Sequence, residues 1–108
     1  MRRNVVATVL LVAIVLVIGP TSATASITVN SSFEAATVDP GSDFVRLPGG
    51  STSITGWTVL GPNLDYVGTL WQASDGQRSI DLDGGVAGGI SQDLATIVGV
   101  KYFLQFDM

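Results

Sequence analysis

The stretch that decides the fold is residues 56–82, which read GWTVLGPNLDYVGTLWQASDGQRSIDL. It contains both tryptophans and one of the two tyrosines of the chain. Three short apolar runs, at residues 57–60, 64–67 and 79–82, are separated by glycine, proline, asparagine and aspartate. Short runs bounded by these turn-forming residues are typical of β-strands joined by tight turns. The stretch therefore predicts β-structure, and its loops and aromatic side chains are the first candidates for binding.

Further strands are predicted on both sides of this stretch, at residues 26–30, 44–47, 89–94 and 101–107. In the last of them Tyr102, Leu104 and Phe106 alternate with polar or exposed positions and are expected to face inward. Ile80 and Leu82 are expected to face inward in the same way. No amphipathic helix of useful length is predicted after residue 26. The sequence therefore predicts an all-β domain with the strand spacing of a sandwich or jelly roll.

Residues 1–25 have the three-part pattern of a secretory signal peptide. A short basic head is followed by residues 5–18, which are apolar except for Thr8, and then by Gly19-Pro20 and the small residues 23–25. The alternative is an uncleaved membrane anchor, but a span needs about 20 apolar residues and Gly19-Pro20 ends this run early. We therefore predict cleavage after Ala25, a secreted or cell-surface protein, and no membrane contact afterwards.

The composition of residues 26–108 excludes several classes of function. Three basic residues stand against nine carboxylates, which gives a net charge of −6 after cleavage. An acidic domain without a basic cluster is unsuited to nucleic acid or to anionic lipid. The absence of histidine and cysteine excludes disulfides, imidazole or thiol catalysis, and imidazole zinc sites. We expect a non-catalytic protein, with a carboxylate-dependent glycan hydrolase as the remaining enzymatic alternative.

The length of the domain is short for the predicted fold. A sandwich typically has about 100 residues and seven or eight strands. The chain stops at Met108, directly after a predicted strand with a strongly apolar face. We therefore expect residues 26–108 to be the N-terminal part, or a shortened version, of a longer β-sandwich domain.

The aromatic residues of the central stretch are candidates for sugar binding or for the core. A flat aromatic ring with nearby amide, carboxylate or guanidinium groups suits the apolar face and hydroxyls of a sugar. Trp57 lies within a predicted strand and is expected in the core, whereas Trp71 lies in the longest turn region and suits either role. The candidate ligand-binding residues are Trp71, Gln72, Asp75, Arg78 and Tyr66.

The ordered set of motifs resembles a known family. These motifs are NSSFE at 30–34, TGWTV at 55–59, LDYV at 64–67, WQASDG at 71–76, RSIDL at 78–82 and GISQ at 89–92. Together they are similar to the bacterial choice-of-anchor C family, which is related to plant cell-wall proteins of domain-of-unknown-function family 642. The resemblance covers nearly all of residues 27–108.

The resemblance implies a galactose-binding-like β-sandwich on an exported protein, with polysaccharide or cell-surface glycan as the expected partner. Sandwiches of this kind often hold a structural calcium, for which Glu34 and Asp107 are the candidate ligands. Calcium suits oxygen ligands in extracellular modules. The alternative to glycan binding is a structural or adhesive surface protein with protein partners.

Overall fold

The computed structural model describes residues 26–108, and the predicted signal peptide lies outside these residues. The described chain is all-β: it contains five strands and no helix. The strands are β1 Phe44–Pro48, β2 Thr58–Leu60, β3 Asn63–Val67, β4 Ser79–Asp81 and β5 Gly89–Ser91. They form an antiparallel three-stranded sheet in the order β1-β3-β4 and an antiparallel two-stranded sheet of β2 and β5.

The three-stranded sheet is built around β3, whose residues 64–67 are all buried. Directly opposite residues in antiparallel strands point to the same face of the sheet. The register places Val45, Tyr66 and Ile80 opposite one another, with the Leu47–Leu64 pair beside them. These side chains form one apolar face, which is the face that packs into the core.

The two-stranded sheet supplies the other side of that core. Val59 pairs with Ile90 across β2 and β5, and both belong to the core cluster with Leu47, Leu64 and Tyr66. The flanking pair, Thr58 and Ser91, belongs to the opposite face because side chains alternate along a strand. Two antiparallel sheets therefore share one apolar interior, as the alternating pattern predicts for a β-sandwich.

The predicted strand at residues 26–30 is not formed. Asn30 has a left-handed backbone (φ 53°), and its side-chain amide bonds the backbone of Ala35 and the carbonyl of Thr55. The amide of Gln92 satisfies both backbone groups of Val29. Side-chain amides thus take the hydrogen bonds that a neighbouring strand would otherwise provide. Polar and apolar residues do alternate at 26–30, but the run is too short for strand pairing to outcompete these side-chain hydrogen bonds to the backbone.

The predicted strand at residues 101–107 is also wrong, and so is the inward orientation of its side chains. Tyr102, Leu104 and Phe106 are 41%, 80% and 68% exposed. Residues 92–108 contain no strand and pair with none in the described part of the chain. Leu82 likewise is exposed, because β4 ends one residue before it. Alternation buries a side chain only where a second layer of residues covers that face.

Candidate functional site

The candidate site is the connection between β3 and β4, residues 68–78, which we call the β3–β4 loop. It carries four of the five residues predicted to contact a ligand, Trp71, Gln72, Asp75 and Arg78. The loop borders a surface cleft of about 370 Å³. This Trp71 cleft is lined by Thr69, Leu70, Trp71, Gln72, Ala73, Gly76 and Gln77.

Trp71 is held in place while half of its surface faces solvent. Its side chain is 48% exposed, and its indole Nε1 donates a 2.7 Å hydrogen bond to the Ser79 hydroxyl at the start of β4. An exposed tryptophan that is fixed by its polar edge offers a rigid apolar surface to a ligand at low entropic cost. Trp57, by contrast, is partly buried against the core.

Trp57 is fixed by contacts with the N-terminal segment. Its ring lies 5.4 Å from the ring of Phe33, at an interplanar angle of 53°. Its Nε1 donates a 3.0 Å hydrogen bond to the carbonyl of Asn30. Buried tryptophans usually find such a partner for the indole N–H. The core position expected for Trp57 is therefore confirmed, and the structure places Trp71, for which the sequence left both roles open, at the surface.

Glu34 ties the β3–β4 loop to the N-terminal segment. Its Oε1 accepts hydrogen bonds from the backbone N–H groups of Gln77 (2.7 Å) and Arg78 (2.8 Å). Gly76 lies against the same carboxylate with φ +69°, and a β-carbon at this position would overlap Glu34. A left-handed residue is usually glycine because other residues clash there. Glu34 and Gly76 together fix the end of the loop that borders the Trp71 cleft.

Arg78 is engaged within the protein. Its Nη2 donates a 2.9 Å hydrogen bond to Asp39 Oδ1, and only 18% of its side chain is exposed, against 76% for Asp39. The Asp39 carboxylate also accepts the N–H of Gly41. The guanidinium therefore bridges the β3–β4 loop to residues 39–41, and its charge is matched by a neighbouring carboxylate.

Tyr66 lies beneath the site and has no exposed surface. Its hydroxyl donates a 2.7 Å hydrogen bond to the carbonyl of Phe33, and burial raises the pKa of this hydroxyl above its ordinary value. A side chain with no surface cannot contact a ligand, so the predicted ligand role of Tyr66 does not fit the structure. Its position instead supports the segment that carries Glu34.

The two residues predicted to hold calcium lie in different parts of the described chain, Glu34 before β1 and Asp107 after β5. One oxygen of Glu34 already accepts two backbone N–H groups, and Asp107 lies in the exposed segment that follows β5. Within residues 26–108 no group of three or more acidic, histidine or cysteine side chains is arranged to hold a metal ion. Calcium binding therefore stays a prediction from the resemblance.

The sequence analysis missed a part-buried ion pair on the other face of the three-stranded sheet. Asp65, 5% exposed, accepts bonds from Arg46 Nε (2.8 Å) and Nη2 (2.9 Å), and Nη2 also donates to the carbonyl of Gly84. The hydrogen bonds from Arg46 hold the pKa of Asp65 below its ordinary value. Arg46 and Asp65 are opposite in register. The available signal was one basic and one acidic residue, each in the middle of a predicted strand.

A second cleft, of about 330 Å³, lies where residue 29 meets the two-stranded sheet. The Gln92 amide forms part of its wall and bonds Val29 and Gly56. Thr58, Ser91 and Asp93 also line it. The Gln92 amide links residue 29 to Gly56, just before β2, so this cleft belongs to the framework that holds the N-terminal segment. Among residues 26–108 no helix is long and apolar enough to cross a membrane.

Comparison with known proteins assigns the family. Residues 26–108 match the family described as "Protein of unknown function (DUF642)". The chain belongs to the DUF642 family. This confirms one part of the resemblance, and the match does not extend to choice-of-anchor C.

Halomucin from Haloquadratum walsbyi (strain DSM 16790 / HBSQ001) is similar to this DUF642 chain. The two are 39% identical over 106 residues, which cover 94% of this chain and 1% of halomucin. The chain thus spans about 1% of the length of this curated relative. No solved structure matches the chain at a significant level. The family match and the similarity to halomucin fit a secreted or cell-surface module.

Proposed function

We propose that this protein is a secreted or cell-surface, non-catalytic module of the choice-of-anchor C type that binds carbohydrate of a cell wall or cell surface. The DUF642 match and the signal-peptide pattern of residues 1–25 support the location. The all-β sandwich with an exposed loop cleft supports a binding role. Ligand sites in such modules combine an apolar surface with a few fixed polar groups.

The observation that carries the proposal is the fixed, half-exposed indole of Trp71 at the edge of the cleft. A sugar ring presents an apolar face, which the indole can cover, and hydroxyl groups around its rim. Gln72 and Gln77 line the same cleft. A carboxamide both donates and accepts hydrogen bonds, so it can satisfy a hydroxyl in either direction.

Affinity electrophoresis in native gels tests this proposal. The full chain is run through gels that contain soluble β-glucan, galactan, galactomannan or polygalacturonate. We expect at least one of these polymers to retard the protein, and we expect Trp71→Ala to abolish the retardation while the protein stays folded. Leu70→Ala is the matched control, because Leu70 is 50% exposed and lines the same cleft without a flat ring. Failure of every polymer to retard a folded sample rules out the carbohydrate proposal.

A structural or adhesive protein with protein partners is the second candidate, and a specific observation favours it. Residues 97–108 expose several large apolar side chains, which include Phe103 at 95% and Leu104 at 80%. Large apolar side chains exposed close together on a protein mark protein contacts or an aggregation-prone segment. Leu104→Lys with Phe106→Lys would abolish association in sedimentation experiments if this surface mediates it. The same variant should leave glycan retardation unchanged.

The non-catalytic part of the proposal is tested separately. Of the three carboxylates near the β3–β4 loop, Glu34 and Asp39 each have one oxygen engaged by donors of the protein itself, which leaves Asp75 as the candidate for hydrolysis. A general acid and a nucleophile need free oxygens on either side of the glycosidic bond. We expect no release of reducing sugar from any polymer of the panel. Release that disappears in an Asp75→Asn variant would instead establish the hydrolase alternative.

A further inference from the structure

We propose that the Trp71 cleft selects uncharged polysaccharides and rejects polymers that carry carboxylates or sulfates. This inference rests on the proposed carbohydrate function and adds the chemical class of the ligand.

The charges around the cleft are mainly negative. The Glu34 carboxylate lies directly against Gly76, a residue that lines the cleft, and Asp75 precedes Gly76 in the same loop. Asp39 is close by, on the guanidinium of Arg78. Three carboxylates and one guanidinium therefore give this neighbourhood a net charge of −2. Charges within about 8 Å still interact at physiological salt, so a polyanion on this surface is repelled.

Neither arginine of the described chain has its charge free to offset this repulsion. Arg78 is bonded to Asp39 and only 18% of its side chain is exposed. Arg46 is bonded to Asp65 through two nitrogens, on the three-stranded sheet. Lys101 is in the exposed segment that follows β5. Recognition of carboxylate or sulfate groups uses arginine or lysine with free donors. The two arginines of residues 26–108 instead satisfy carboxylates of the protein.

The uncharged polar groups of the cleft fit the hydroxyls of a neutral sugar. The side-chain amides of Gln72 and Gln77 make no hydrogen bond to residues 26–108, although both line the cleft. They remain available as donors and acceptors. Together with the indole of Trp71, they provide an apolar surface and two neutral hydrogen-bonding groups. A ligand of this site is thus recognised by its ring face and hydroxyls, with no contribution from anionic groups.

The experiment compares one polymer in neutral and charged forms. Galactan, galactomannan and β-glucan are each used before and after partial oxidation of their primary alcohols to carboxylates, in affinity gels at low and high salt. For the polymer that binds, we expect the oxidised form to bind at least tenfold more weakly at low salt, which corresponds to about 1.4 kcal/mol. Binding of the neutral form should not depend on salt. High salt should recover part of the loss for the oxidised form, because it screens the repulsion.

Two variants test whether the carboxylates near the cleft cause the weaker binding of the oxidised polymer. Asp39→Asn keeps an acceptor oxygen for the Gly41 N–H but removes the charge that neutralises Arg78. It should improve binding of the oxidised polymer at least fivefold and change binding of the neutral polymer less than twofold. Asp93→Asn removes the same amount of charge at the second cleft and serves as the control. We expect it to change binding of the oxidised polymer less than twofold.

The outcomes separate this inference from the proposed function. Equal or tighter binding of the oxidised polymer at low salt overturns the inference and leaves a carbohydrate-binding module in place. If Asp39→Asn and Asp93→Asn improve binding of the oxidised polymer equally, the inference is also overturned, because the total charge of the protein would then explain the weaker binding of that polymer. Failure of all neutral and oxidised polymers to bind a folded sample refutes the proposed function itself.

Discussion

Replacing Tyr66 with phenylalanine removes a single oxygen atom from the centre of the core. Tyr66 is fully buried, and its hydroxyl donates a 2.7 Å hydrogen bond to the carbonyl of Phe33. Phe33 has a left-handed backbone (φ 63°), which is unfavourable for a bulky residue. The hydroxyl therefore holds a strained segment that continues directly into Glu34. We predict that Tyr66→Phe destabilises the fold and loosens the β3–β4 loop.

The size of the effect follows from the hydrogen bond and its surroundings. A typical intramolecular hydrogen bond contributes about 0.5–1.5 kcal/mol to stability, and an acceptor left unsatisfied in the interior costs about 1–3 kcal/mol. Phe33 is only partly buried, so water can reach part of the freed carbonyl. We therefore expect a loss of about 1–2 kcal/mol in the free energy of unfolding. For a domain of this size that corresponds to a fall in Tm of about 5–15 °C.

Urea denaturation and thermal melts of the full chain measure this loss. Tyr102→Phe is the matched control because it makes the same chemical change at a residue that is 41% exposed, where the hydroxyl accepts the N–H of Ile97. Surface changes of this type usually stay within about 0.5 kcal/mol. Equal midpoints for the two variants, or a fall in Tm below about 2 °C for Tyr66→Phe, would refute the reasoning.

The same residue predicts an alkaline limit to stability. Burial raises the pKa of Tyr66 in the folded protein above the ordinary value of 10.0. The unfolded chain then loses its proton first as the pH rises. The stabilisation is complete below pH 10 and is lost progressively above it. Unfolding midpoints of the wild type should therefore decline more steeply above pH 10 than those of Tyr66→Phe, and parallel profiles would contradict this assignment.

Three further predictions concern the tryptophans, the ion pair and the loop glycine. Trp57→Ala should lower the free energy of unfolding by about 3 kcal/mol or more, because it removes a partly buried ring packed on Phe33. Trp71→Ala should lower it by only about 1 kcal/mol. Thermal melts with the reverse order would show that the core and surface assignments of the two tryptophans are wrong. Arg46 lowers the pKa of Asp65 below its ordinary value of 3.8. The carboxylate therefore stabilises the fold above pH 3.8, and this stabilisation is lost as the pH falls through the lowered pKa. Asp65→Asn should flatten the decline of the urea midpoints between about pH 5 and pH 2, and an unchanged slope would contradict the role of this ion pair. Gly76→Ala should displace Glu34 and weaken glycan retardation at least fivefold. Gly41→Ala is the control: Gly41 is also left-handed, but no atom lies within 4 Å of the added carbon, so retardation should not change. Equal effects of the two substitutions would exclude a role for the Glu34 contact.

Most of the strands could be predicted because their signals are local. Alternating residues at 44–47, 57–60, 64–67 and 79–82 are bounded by Gly, Pro, Asn or Asp, and a strand lies within one or two residues of each predicted run. Turn-forming residues act through their own backbone preferences, so the turns they form can be predicted without knowing the distant contacts.

The candidate site could be predicted only in part. The sequence brought Trp71, Gln72, Asp75 and Arg78 together because they lie in one loop. It gave no sign that Glu34 would bind the backbone at residues 77 and 78, since these groups are 43 and 44 positions apart. The sequence also did not show that Asp65 would pair with Arg46, although each lies in the middle of a predicted strand. Such contacts depend on which strands pair and in which register, and that information is distributed over the whole chain.

The sequence by itself determined the all-β class, the approximate strands and the loop that carries the exposed tryptophan. Only the tertiary structure decided which of the alternating segments have a partner. Tyr66 is buried between the two sheets, whereas Tyr102 is exposed to solvent, although both lie in runs of alternating polar and apolar residues. The physical reason is that alternation makes one face of a segment apolar, but the free energy is gained only when another layer removes that face from water.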